Sequence, residues 1–152
     1  MRLTNRNRPF TAFIATLFVL LASFATAHVS KEVGDGAYTV VAGYIDAPLY
    51  AGQLEQVDIS VTDAAGTGVD GLAEALIVEI IGPDGASVTI AVRAVRDGPG
   101  KYVADFIPTV VGNYDVRISG FIGEHEFEGL FSGVEMVHAD PVVADPATIS
   151  VP

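Results

Sequence analysis

Along residues 54–62, LEQVDISVT, apolar and polar side chains alternate, with Val57, Ile59 and Val61 set against Asp58, Ser60 and Thr62. A period of two puts the two sets on opposite faces of a strand, one toward a core and one toward water. The same alternation, or a short β-branched and aromatic run, recurs over 37–46, 76–82, 87–96, 101–107, 113–121 and 124–131, and more weakly over 134–138. In 113–121, Tyr114, Val116 and Ile118 share the inward face against Asp115, Arg117 and Ser119. No segment after residue 27 sustains a helical period, so the chain reads as all-β.

The breaks between these runs carry turn chemistry. Pro83-Asp84-Gly85 predicts a tight hairpin and Asp97-Gly98-Pro99-Gly100 a longer one. The longest connection, Asp63 to Ala75, holds Gly66, Gly68 and Gly71 and is expected to cross between sheets. Seven to eight strands at this spacing predict an immunoglobulin-like antiparallel β-sandwich. Tyr114 follows a glycine-containing turn and opens a strand, the setting of a tyrosine corner, so Tyr114 and Tyr102 are read as structural.

The first 27 residues read differently. Arg2, Arg6 and Arg8 precede an apolar stretch from Phe10 to Phe24, and Ala25-Thr26-Ala27 fits the small-residue pattern of a signal-peptidase site. The apolar stretch is short against the roughly 20 residues needed to span a bilayer. The expectation is a signal peptide over 1–27, cleaved before His28, with export to the periplasm or outside the cell and no membrane span afterwards. The folded domain is then 28–138. The segment 139–152, ADPVVADPATISVP, is expected to be an extended or disordered tail.

Cleavage changes the charge. The full chain has 8 basic and 19 acidic residues. Removing the three arginines leaves five basic against 19 acidic residues, a net charge of −14. Such a chain repels phosphate backbones and anionic lipid, and it suits cations and cationic surfaces. There is no cysteine, so disulfides and thiolate chemistry are excluded and an apolar core must supply the stability.

Catalytic motifs are missing. No serine sits in a G-x-S-x-G elbow, there is no H-E-x-x-H, and Gly98-Pro99-Gly100 lies in a hairpin rather than ahead of a helix. Glu124, Glu126 and Glu128 alternate on one strand face, opposite His125, Phe127 and Phe131. That arrangement reads as a solvated face protecting an edge, not as an acid/base pair across a cleft. His125 is expected to be partly buried beside the phenylalanines.

The stretches AHV, GAYTVVAGYIDAPLYAGQ, VTDAAGTGVDGL and GKYVADFIPTVVGNYDVRISG together resemble the small exported bacterial proteins of the YtkA-like and FixH-like immunoglobulin-fold group, over most of 27–131. The resemblance implies a β-sandwich and brings no catalytic residues. The chain is also similar to CopC-type periplasmic copper-binding proteins, exported β-sandwiches whose mature chain begins with histidine. Here His28 matches, while their Asp-x-His element is replaced by Gly123-Glu124-His125-Glu126 and by His138-Ala139-Asp140.

Metal-ligand candidates follow from donor chemistry. A mature His28 would offer an amine and an imidazole that close one chelate ring on Cu(II), and further donors could be His125, His138, Met136, Glu32 or Asp35. The expected function is an exported, non-catalytic binding or accessory protein handling a metal, copper, in the cell envelope. The alternative is a structural or adhesive module that holds an envelope protein at its sheet edges or loops.

Overall fold

The structure, a computed structural model, describes residues 28–133 and 135–141. Both the expected signal segment and the tail beyond Pro141 lie outside the described residues. The strands are β1 (Val29–Val33), β2 (Tyr38–Tyr44), β3 (Leu49–Tyr50), β4 (Glu55–Asp63), β5 (Leu76–Ile81) and β6 (Ser87–Ile90). They continue as β7 (Val92–Ala94), β8 (Lys101–Phe106), β9 (Gly112–Asn113), β10 (Asp115–Ile122), β11 (His125–Phe131) and β12 (Met136–His138). No helix occurs among the described residues.

Two antiparallel sheets, ordered β1-β2-β4-β8-β7 and β11-β10-β5-β6, pack face to face as the expected immunoglobulin-like sandwich. A small third sheet, β3-β12-β9, lies at one end, with β12 parallel to β3. The period of two sets the core as the sequence predicts. Val57, Ile59 and Val61 of β4 are fully buried, and so are Val116 and Ile118 of β10. They meet Val78, Tyr102, Ala104 and Phe131 in one apolar cluster.

The turns also follow their residues. Gly85 takes a left-handed φ of 80°, and Asp84 Oδ1 accepts the Ala86 amide at 3.1 Å, closing the β5–β6 hairpin. The Asp63–Ala75 connection crosses from one sheet to the other and is pinned from below. The Tyr102 hydroxyl donates to the Val69 carbonyl and accepts the Leu72 amide at 3.2 Å. The Tyr114 hydroxyl accepts the Val110 amide at 3.1 Å, so this residue is the tyrosine corner.

Four features depart from the sequence reading, the first being that the run over 113–121 is split, Gly112–Asn113 pairing as β9 with β12 and β10 starting at Asp115. Residues 87–96 are not one strand: β6 pairs with β5, the chain breaks at Ala91, and β7 pairs with β8 in the opposite sheet. Leu49–Tyr50 adds the two-residue β3, which is too short to show a period. Val29–Val33 forms β1, paired with β2 from Val29↔Ala42 to Val33↔Tyr38. With only two apolar residues in VSKEV, this strand has little pattern to read.

Candidate functional site

The switch at Ala91 shapes a groove. β6 stays with β5 while β7 joins β8 only as far as Val92↔Ala104, so Asp105 and Phe106 run on past β7. Beyond Phe106 the chain turns away through Ile107-Pro108, and the Pro108 carbonyl is held by the Gly52 amide at 2.8 Å. The two sheets therefore part between β6 and the 106–110 segment. The resulting cavity is about 370 Å³, with apolar walls from Ile80, Val88, Ile90, Phe106, Ile107 and Val110 and with Asp84, Ser87 and Thr109 among its polar members.

Val88 opposes the buried Ile80 and so points to the inner side of its sheet, yet it is 56% exposed because no described residue sits over it. Ile107 across the groove is also 56% exposed.

The edges of the two main sheets differ in charge. β1 carries Lys31 and Glu32, β7 carries Arg93, and β11 carries Glu126 and Glu128. Edge charges of this kind discourage another strand from pairing. β6, Ser-Val-Thr-Ile, has no charge and no proline, and among the described residues it is paired on one side only. Its backbone lies open beside the apolar groove.

Polar groups near this edge are fixed. The Glu79 carboxylate sits below its ordinary range, chiefly through the hydrogen bond from Ser87 and then through Arg117. On the other sheet, Asp105 is likewise held low, first by the paired hydrogen bonds from Arg93 and then by Gln56.

The metal-ligand candidates are placed apart. His28 Nε2 lies 3.3 Å from Asp58 Oδ2 on β4, not beside Glu32 or Asp35. The His125 ring packs edge-on to Tyr38 at 5.9 Å and lies over Gly34, where a Cβ would approach Nδ1 to 2.6 Å. The His125 side chain is exposed rather than partly buried, because it stands at the open hairpin end, past the phenylalanines of β11.

His28 precedes β1 and Gly34 follows it, so His28 and His125 are separated by the length of that strand, roughly 20 Å at ~3.3 Å per residue. His138 pairs with Tyr50 in the small sheet, its ring 6.3 Å from the Tyr50 ring. Met136 lies on the same face of β12 and is exposed, while Val137 between them is buried. Among the described residues no group of three or more His, Cys, Asp or Glu stands together as a metal site.

Sequence reasoning passed over the groove. Its signal was present in part, as the uncharged run SVTI and the apolar Ile107, Val110 and Val111 in a loop.

Comparison with known proteins gives a family. Among solved structures, the filamin domain of Lin-41 is similar, with 13% identity and a TM-score of 0.42, covering 71% of this chain and 98% of that one. A DUF4785 family protein from Legionella pneumophila is similar with 10% identity and a TM-score of 0.46. It covers 69% of this chain, which in turn spans 29% of that protein. No curated protein sequence matches the chain. The comparisons bear on the immunoglobulin-like part of the earlier resemblance and carry nothing specific to YtkA-like, FixH-like or CopC-type proteins. The sequence matches the filamin/ABP280 repeat over residues 27–125, from the lead-in to β1 through β10 to the first residue of β11, and the chain belongs to that family.

Proposed function

We propose that this chain is an exported, non-catalytic interaction module that takes an extended segment of an envelope protein as an added strand on β6. The observation that carries the reading is the uncharged, one-sided edge of β6 beside an apolar groove. In strand addition the main chain supplies hydrogen bonds, and side chains at alternate positions enter pockets. Here the open β6 backbone would supply the first, and the Val88–Ile107 groove would take apolar side chains spaced two apart. Membership of a family of interaction repeats supports the same role over the metal-handling one. Export rests on the Arg2-to-Ala27 segment.

The test uses processed protein and a displayed library of random peptides. Selected peptides should show apolar residues at alternate positions, and their amide shift changes should fall on Ser87–Ile90 and 106–110. Val88→Asp and Ile107→Asp should abolish binding while leaving the melting temperature nearly unchanged, since both side chains are exposed. Binding that survives both substitutions would exclude the groove.

A further inference from the structure

We infer that the outer face of the β11-β10-β5-β6 sheet is a second docking surface, suited to a protein that presents Lys and Arg around an aliphatic or aromatic centre. The two main sheets differ outwardly. In the five-stranded sheet no strand carries an exposed large apolar side chain, and β4 shows water Gln56, Asp58, Ser60 and Thr62. The four-stranded sheet exposes Phe121 (55%), Ile77 (53%) and Leu130 (44%). All three lie on its outer face, because their strand neighbours Ile122, Ile118, Val78 and Phe131 are buried inward.

Register makes Ile77 and Phe121 diagonal neighbours and sets Leu130 on the other side of Ser119, beside Arg117 and Glu128. Ser119 pairs with Ile77 on one side and Glu128 on the other. Phe121 is two residues further along the same face of β10, and Leu130 pairs with Arg117, two residues back. Diagonal neighbours such as Ile77 and Phe121 are roughly 7–8 Å apart, within reach of large side chains. The small Ser119 leaves a shallow step between that apolar pair and Leu130. An exposed apolar pair, Ile77 and Phe121, with Leu130 beyond Ser119 on the same face and with the other sheet polar, points to a contact surface.

Charge decides the occupant. Glu79, Glu126 and Glu128 border the patch, and Arg117 is the cation among them. Arg117 already serves Glu79 at 2.5 Å and Glu128 at 3.8 Å. The rim is therefore net negative. A second copy would set like charges against each other, and an anionic lipid surface would be repelled. A basic rim on the partner would complement it.

The test titrates a short amphipathic Lys/Leu peptide, and its Glu/Leu counterpart, into the processed protein while following backbone amide shifts. The expected result is that Lys/Leu perturbs amides around Ile77, Ser119, Phe121 and Leu130 and Glu/Leu does not. Phe121→Ser, which keeps every charge, should weaken binding by about tenfold or more. Glu126→Lys with Glu128→Lys should do the same, and sedimentation velocity should find a monomer.

Equal binding by Phe121→Ser would mean bulk charge attraction and overturn the inference. So would Glu/Leu binding, or dimerisation lost in Phe121→Ser. Shifts confined to Ser87–Ile90 and 106–110 would overturn it while leaving the β6 groove standing.

Discussion

Three buried tyrosines put a price on hydrogen-bond accounting in this core. Tyr102 uses its hydroxyl twice, donating to the Val69 carbonyl and accepting the Leu72 amide, and so holds the sheet-crossing connection. Tyr114 uses its hydroxyl once, on the Val110 amide. Tyr44 is buried against Phe106 at 5.9 Å between ring centroids, and its hydroxyl has no partner among the described residues. Replacing each by Phe removes one oxygen and little else. The cost should then follow what is orphaned. Tyr102→Phe strands two backbone groups, one buried and one part-buried, about 2–4 kcal/mol, and Tyr114→Phe strands one, about 1 kcal/mol. Tyr44→Phe strands nothing and relieves a buried, unpaired hydroxyl, so it should be neutral or stabilising by up to ~1 kcal/mol.

At roughly 4 °C per kcal/mol for a domain of this size, Tyr102→Phe should lower Tm by about 8–16 °C. Guanidinium melts of the three variants under one buffer decide the order. A loss at Tyr44 equal to that at Tyr114 would refute the reasoning, since it would give the Tyr44 hydroxyl a partner such as an internal water. The alkaline limb gives a second check. Burial, reinforced by Asp115, pushes the Tyr44 phenol well above its ordinary range. A group whose folded pKa exceeds its unfolded value, here about 10, leaves stability intact below that value. Stability then falls as pH rises further, because only the unfolded chain ionises readily. Tyr44→Phe should flatten that decline.

Other outcomes follow from register, backbone and donor geometry. Val116→Ala should cost about 2 kcal/mol or more in chemical denaturation through lost packing, and Asp115→Ala should stay within about 0.5 kcal/mol. The reverse order would mean a β10 register shifted by one residue. Gly100 has φ of 67°, and a Cβ there would lie 2.3 Å from the Val61 carbonyl oxygen. Gly100→Ala should therefore cost about 2 kcal/mol or more by thermal melt, and a silent substitution would contradict that close approach. Calorimetric titration of Cu(II) into protein beginning at His28 should give micromolar or weaker binding that His28→Ala abolishes, since the other histidines stand on other elements. Tighter binding, or binding indifferent to His28, would show that a different donor set is at work.

The core was legible because alternation is a local signal. Val57-Asp58-Ile59-Ser60-Val61 states both the strand and its buried face without reference to any other part of the chain. The tyrosine corner was legible for the same reason, from a glycine turn followed at once by Tyr114. β1 was not, since its pairing with β2 depends on a partner strand and VSKEV carries little pattern of its own. The histidines show the opposite limit. Their identity is local, but a ligand set is a matter of distance, and the lengths of β1 and the small end sheet keep them on separate elements.

The groove lies beyond both kinds of reading, and its origin explains why. Val88, Ile90 and Val92 keep one unbroken alternation through Ala91, so the sequence gives no sign that the strand changes sheets there. The change nevertheless has two consequences. It ties the four-stranded sheet to the five-stranded one through β7 and β8, and it leaves β6 as an edge whose inner residues face a gap. The missing charge on SVTI gains meaning only once that edge is known. Within a paired strand, uncharged residues are ordinary; on an open edge, where three other edges carry Lys, Arg or Glu, they leave the backbone free to pair. Placing a Lys at Thr89 should therefore close the β6 edge to an added strand without disturbing the core, since Thr89 is exposed. Peptides selected on the parent protein should lose binding to Thr89→Lys at unchanged melting temperature. Retained binding would show that the partner uses the groove walls without extending the sheet.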